Sequence, residues 1–267
     1  MTLGPQTRVM GVLNVTPDSF SDGGRHDTPE VALEAAARMV EQGADIIDVG
    51  GESTRPGAEE LDPGQEAERV LPVVEGIKAR HEVRVSIDTV NSAVARQALD
   101  AGADMINDIS SLGDPAMLPV ICERRVPVVL MHMRGSPRTM QRDTHYDDLV
   151  GTITSYLQER VDIAVSAGVK DGKILVDPGI GFGKSTRGNL EILRQLPVLG
   201  RLGRPILLGA SRKTFIGKTL DLPVEQRLEG SLAVAAYASA NGVHVVRAHD
   251  VAETVRVVRM VDAIREA

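Results

Sequence analysis

The sequence has no tryptophan, only three phenylalanines and three tyrosines, and a single cysteine among 267 residues. Aromatics make up 2% of the chain, so a core must come from the Val, Ile, Leu, Ala and Met of its 42% hydrophobic fraction. One cysteine excludes an internal disulfide and a zinc framework. The residues around Cys122 read as a helix, and an inert buried thiol is expected there. HExxH, CxxC and GxSxG are missing, which removes the usual signals for a structural metal or a serine triad. There is no apolar run of roughly 18 residues, and the start "MTLGPQTR" has no apolar signal core. A cytoplasmic protein with no membrane contact is expected. Basic excess is absent too: 30 Lys and Arg against 37 Asp and Glu leave a net charge of −7. That argues against general nucleic-acid binding and still permits local basic sites for small anions.

What is present is an alternation. Eight short apolar runs cover 8–15, 45–50, 83–89, 104–110, 127–133, 173–179, 205–211 and 243–249. Continuous Val/Ile/Leu runs suit parallel strands buried on both faces. Helix-like stretches follow them near 28–42, 64–80, 91–101, 114–124, 147–168, 187–200, 225–241 and 250–265. The first has Thr28 as a cap, Pro29 in the first turn and Gly43 as a stop; Gly102 ends the third in the same way. No composition shift divides the chain. Eight strand–helix units predict one α/β domain over 1–267, a TIM (β/α)8 barrel. A doubly wound open sheet is the competing architecture.

In such a barrel the active site lies at the carboxyl ends of the strands. Those ends carry Asn14, Asp48, Asp88, Asn107 with Asp108, His132, Asp177, Ser211 to Lys213, and Arg247 with His249. Any one could be a helix cap, Asp88 in "SIDT" above all. Eight polar ends together are harder to explain by capping. "DPGIGFGK", Asp177 to Lys184, fails as a Walker A loop because Pro178 stands where a glycine is required. Its glycines open space beside Asp177 and Phe182 for a flat ligand. "GASRKTFIG" sets hydroxyls and cations at a helix start, suited to an anion. "GGESTRPGA" puts Arg55 in a Gly- and Pro-flanked loop, and plain turn chemistry is the rival reading. Arg134 and Arg138 read as solvated. All three phenylalanines, Phe20, Phe182 and Phe215, follow strands in the inferred site loops, so a flat or aromatic ligand is expected. Two carboxylates and an amide, Asp88, Asp177 and Asn107, suit a heterocycle rich in N–H donors, such as a pterin or guanine ring. Arg55, Lys213, Arg247 and His249 suit an anionic second group.

These blocks, taken with "NVTPDSFSDGG", "GADIIDVGGESTRPGA", "INDIS" and "RAHD" in order along nearly the whole chain, resemble the dihydropteroate synthase family of pterin-binding barrels. The resemblance implies a homodimeric, magnesium-dependent transferase. Its substrates would be 6-hydroxymethyl-7,8-dihydropterin diphosphate and p-aminobenzoate, its products 7,8-dihydropteroate and diphosphate. It further implies that Asp88, Asn107, Asp177, Lys213, Ile109, Met131, Phe182 and Gly209 line the pterin site. Asn14, Thr54, Arg247 and His249 would meet the diphosphate, Asn14 together with the magnesium. Phe20, Arg55, Pro56, Lys213 and Thr214 would border p-aminobenzoate, and Asp177, Lys213, Phe20 and Arg55 would serve catalysis. Ala248, where Val is expected, and Arg134, where Gln is common, depart from the pattern. A pterin-dependent methyltransferase barrel and a non-catalytic pterin-binding paralogue are the alternatives.

Overall fold

A computed structural model describes residue 4 and residues 6–16, 29–52 and 61–267. Strands and helices alternate: β1 (Arg8–Asn14), α1 (Pro29–Glu41), β2 (Ile46–Gly50), α2 (Pro63–Arg80), β3 (Arg84–Asp88) and α3 (Ser92–Asp100). The chain continues through β4 (Met105–Asp108), α4 (Met117–Arg124), β5 (Val128–Met131), α5 (Leu149–Ser166) and β6 (Ile174–Asp177). It ends with α6 (Thr186–Arg194), α7 (Leu196–Leu199), β7 (Leu207–Gly209), α8 (Thr214–Leu220), α9 (Leu228–Ala240), β8 (Val245–Ala248) and α10 (Val251–Glu266). Every expected apolar run contains its strand, with at most two residues trimmed from an end. Two helical details differ from expectation. The 187–200 stretch breaks into α6 and α7, where Pro197 cannot carry the preceding ladder onward. The short helix α8 lies outside the eight expected stretches. No described helix is long and apolar enough to cross a membrane.

One structural device repeats where helix gives way to strand. Gly43 and Gly102 have φ of +92° and +108°, a region open to glycine at little cost. The next residue then donates back five positions, Ala44 to Met39 and Ala103 to Ala98, closing a Schellman turn. Asp45 and Asp104 continue straight into pairing with Val9 and Val85 of the neighbouring strands.

All strand pairs are parallel, in the order β6-β5-β4-β3-β2-β1-β8-β7. A bridge from Val176 to Ile206 joins the two ends, with the Val176 N–H donating to the Pro205 carbonyl at 2.9 Å. The sheet is therefore a nearly closed barrel, and the open-sheet alternative falls. Its floor is apolar: Met10, Ile46, Met105, Val129, Leu175, Leu207 and Val245 form one buried cluster. The larger cluster lies between strands and helices and includes Val49, Val70, Ile106, Ile121, Leu130, Leu157 and Val176. Cys122, on α4, packs half-buried against this outer cluster rather than fully inside it.

Since seven side chains fill the barrel floor, a truncation there leaves a void that helices cannot collapse into. Met105→Ala is expected to cost about 2–5 kcal/mol, measured as the shift in a denaturant midpoint. A change below about 1 kcal/mol would contradict a tightly packed floor.

Candidate active site

One layer above the apolar floor the interior turns polar. Asp48 follows Ile46 by two residues on β2, Asn107 follows Met105 on β4, Asp177 follows Leu175 on β6 and Arg247 follows Val245 on β8. A two-residue step along a strand keeps a side chain on the same face, so each of these points inward above a floor residue. Asp88 of β3 is level with Asn107, and Asp177 with Met131 of β5. Gly209 of β7 is level with Arg247, and a Cβ there would lie 3.7 Å from the Arg247 Cδ.

Arg247 ties this layer together. Its Nε donates to Asp48 Oδ2 at 2.6 Å and its Nη2 to Asp88 Oδ2 at 2.8 Å. Asn107 Nδ2 donates to the same Asp48 oxygen at 3.0 Å. Asp88 does not cap a helix: Asn91 caps α3 by accepting from the Ala93 and Val94 N–H groups. Asp88 is thus left for the mouth. Burial, then the nearby Asp48, push its pKa up to about 7 against the opposing pull of Arg247. Burial lowers the Arg247 pKa, but Asp48 and Asp88 outweigh it and the net shift is upward.

A second group gathers at β6. Asp177 Oδ1 accepts from the Gly179 N–H at 2.7 Å. Gly179 has φ +68°, and a Cβ there would lie 2.0 Å from the His132 carbonyl oxygen, so the turn admits only glycine. Lys184, 3% exposed, donates from Nζ to the carbonyls of His132 at 3.1 Å and Phe182 at 2.8 Å. It pins the glycine-rich loop to the end of β5. Lys213, at the start of α8, donates to the Ile180 carbonyl and holds its ammonium 4.3 Å from the Phe182 ring centre. Burial raises the Asp177 pKa while Lys213 lowers it. Burial brings Lys213 down to about 8 and Lys184 to about 7, each opposed by Asp177.

His249 stands at the rim, its backbone N–H and Nδ1 on Ser211 Oγ at 3.2 and 3.1 Å. Desolvation, then Arg247 and Arg212, depress its pKa to about 4. Arg212 itself is bound to Asp250.

The expected residues therefore divide. Asp88, Asn107 and Arg247 are joined directly, and Asp177, Phe182 and Lys213 form the adjoining group. Ile109 and Met131 are buried and belong to neither apolar cluster, and Met131 is level with Asp177. Asn14 is half-buried at the end of β1, and Thr214 is exposed at the first turn of α8. Phe20, Thr54, Arg55 and Pro56 lie outside the described residues. Phe215 is a correction: it is 4% exposed and packs in the outer core, because α8 turns it inward instead of leaving it in a loop. Arg134 is corrected in part, since it lies 3.6 Å over the Tyr146 ring and pairs with Asp143. Two residues gained no role from the sequence. Asp48 was legible only as one more polar strand end, and Lys184 only as the last letter of a failed phosphate motif.

For magnesium, the described residues offer Asn14 as one neutral oxygen donor beside Gly50, and no group of three His, Cys, Asp or Glu side chains among them could hold an ion. That donor set fits a hard cation carried mainly by substrate phosphates.

The family model described as "Pterin binding enzyme" matches residues 10–249. The chain is 47% identical over 263 residues to the dihydropteroate synthase of Synechocystis, covering 98% of this chain and 91% of the relative. It superposes on the Yersinia pestis dihydropteroate synthase, solved with a sulfonamide drug complex, at a TM-score of 0.95 and 46% identity. That alignment covers 100% of this chain and 98% of the other. The Xanthomonas albilineans dihydropteroate synthase, solved with 4-aminobenzoic acid, gives 0.94 and 45%, covering 100% and 96%.

Removing Arg247 leaves Asp48 and Asp88 facing each other without a cation, and Arg247→Gln should cost about 3–5 kcal/mol of stability. The loss should grow with pH. Folded Asp88 keeps its proton to about 7, whereas an unfolded aspartate releases it near pH 4. The folded state thus binds more protons across that window, and stability falls as pH rises through it. Without Arg247 the folded pKa moves higher and the window widens upward. Chemical denaturation at pH 5.5 and pH 8 measures this, and an equal loss at both would contradict the shared-guanidinium account.

Proposed function

The chain belongs to the pterin-binding enzyme family, among its dihydropteroate synthases, and from that premise we propose how its own residues carry out the transfer. The enzyme joins 6-hydroxymethyl-7,8-dihydropterin diphosphate to p-aminobenzoate and releases diphosphate. One observation carries the reading: a desolvated layer of acceptors, Asp88, Asn107 and Asp177, lies directly beside the cations Arg247 and Lys213. A donor-rich heterocycle and an anion fit that arrangement together. Relatives 47% identical over nearly the full length are synthases, which favours this reading over the methyltransferase and the non-catalytic paralogue.

Asp177 accepts from ring N–H groups of the pterin. Asn107 has one Nδ2 proton committed to Asp48, so it offers its other proton and its Oδ1, a donor beside an acceptor. An amidine edge of the pterin presents the matching pair. Lys213 stands between Asp177 and Phe182 and donates to the ring while bordering p-aminobenzoate. Arg247 and His249 receive the diphosphate. An arriving anion there raises the His249 pKa, which desolvation, then Arg247 and Arg212, hold down to about 4 in the free protein. Asn14 would give magnesium its protein oxygen, and the ion would supply neutralisation of charge on the diphosphate.

The aniline nitrogen of p-aminobenzoate is a weak nucleophile, since its lone pair is shared with the ring. The C–O bond of the pterin methylene therefore breaks early, its electron pair leaving with diphosphate. Positive charge spreads into the pterin, where Asp177 stabilises it. The amine lone pair then forms the C–N bond, and the nitrogen loses a proton. Assembly runs in order, with pterin diphosphate first. The exposed apolar side chains Leu190 of α6, Leu220 of α8, Val224 ahead of α9 and Tyr237 of α9 support a homodimer through that side of the barrel.

Diphosphate release should require p-aminobenzoate, as coupled-assay kinetics would record; release without it, or none with it, contradicts the function. Asp177→Ala should weaken pterin binding about 5- to 150-fold. Calorimetric titration should find p-aminobenzoate binding tighter in the presence of magnesium diphosphate, and equal affinity with and without it contradicts the order.

A further inference from the structure

Two buried polar atoms that lack a hydrogen-bond partner among the described residues are neighbours inside the barrel. They are Asp48 Oδ1 and Ser86 Oγ, in residues with 0% exposure. Asp48 and Ser86 are Cα partners on β2 and β3, and partners in a sheet direct their side chains to one face. That face is the interior, since Asp48 Oδ2 meets Asn107 and Arg247 there. Ile46 of the apolar floor lies one step below Asp48, and Met105 of the same floor is the Cα partner of Ser86. Adjacent strands are about 4.8 Å apart, so two short side chains leave between them the span of one water bonded to both. Buried polar groups seldom go without partners, and ordered water commonly supplies them.

We propose that Asp48 and Ser86 hold one internal water beneath the pterin-binding layer, and that Asp48, steadied by it, is the residue that positions both halves of the site. The names of the two halves rest on the synthase reading; the water does not. Asp48 Oδ2 receives the Nε of Arg247 and the Nδ2 of Asn107. One contact sets the plane of the guanidinium that meets the diphosphate. The other sets which way the Asn107 amide faces the pterin. Rotation of the Asp48 carboxylate would disturb both at once, and the water, anchored by Ser86, opposes that rotation. Asp48 lies below the ligand layer and touches no reacting atom, so it acts through Asn107 and Arg247.

Two measurements test this. A crystal structure of the free wild-type protein, at a resolution where ordered water is visible, should show a peak within hydrogen-bond distance of Asp48 Oδ1 and Ser86 Oγ. An empty gap overturns the water. Ser86→Ala keeps every charge and removes one anchor. It should weaken a hydroxymethylpterin and inorganic diphosphate in parallel, each about 2- to 10-fold, with the KM for p-aminobenzoate unchanged. Asp48→Asn should weaken both further. Ser86→Gly, with room for a second water in place of the hydroxyl, should recover both affinities towards wild type. Unchanged pterin and diphosphate affinities in Ser86→Ala, whatever its thermal stability, overturn the positioning role. A loss confined to one of the two ligands overturns it as well. If the wild-type protein makes no diphosphate from the two substrates, the synthase reading falls while the density peak still decides the water.

Discussion

A guanidinium shared between two buried carboxylates, with an amide on one of them, is the constraint on which the mouth of this barrel depends. Arg247 reaches Asp48 on β2 and Asp88 on β3 from β8, crossing the interior past β1. Its side chain passes Gly209 of β7, where a Cβ would lie at ordinary contact distance. Burying three charged groups is expensive unless each is paired and hydrogen-bonded, and this arrangement compensates most of that cost within one layer. Removal of Arg247 leaves both carboxylates buried without their cation. Such a layer is poorly suited to stability alone. It is suited to a ligand that supplies donors to its acceptors and an anion to its cation.

The same desolvation tunes the protons of the site. It holds Asp88 near 7 and Lys213 near 8, and it keeps His249 neutral at about 4. Asp88 and Lys213 are thus poised where an arriving charge changes their state. On the proposed assignment, a diphosphate beside Arg247 and His249 would compete with the carboxylates for the guanidinium, and binding of one half of the substrate would be felt by residues that hold the other. Lys184 serves a quieter purpose: two carbonyl contacts from a buried ammonium hold the glycine-rich turn that presents Asp177.

The barrel was legible in the sequence because parallel strands buried on both faces leave unbroken Val/Ile/Leu runs, and because glycine marks the helix ends at Gly43 and Gly102. The polar strand ends were legible for the same reason: Asp88, Asn107, Asp177 and Arg247 interrupt those runs. Partnership was not legible. Nothing in the spacing says that Arg247, about 200 residues from Asp48 in the chain, closes onto it, since that contact exists only once the ring closes. Asp48 sits inside an apolar run where its direction cannot be read. Phe215 misled because a phenylalanine just after a strand reads the same in a loop and on the inward face of a short helix. The α8 turn is brief enough for its periodicity to go unseen.

On the proposed function, the buried layer recognises a pterin by the donors on its ring. The most direct test varies the ligand and leaves the protein alone. Calorimetric titration of the wild-type protein would compare a 6-substituted pterin with the matching pteridine-2,4-dione, in which a carbonyl oxygen replaces the 2-amino group. The dione turns an acceptor towards buried carboxylate oxygens and leaves them unpaired. The pterin is expected to bind at least about 100-fold more tightly. Equal affinity for the two rings would contradict the assignment of Asp177 and its neighbours to pterin recognition.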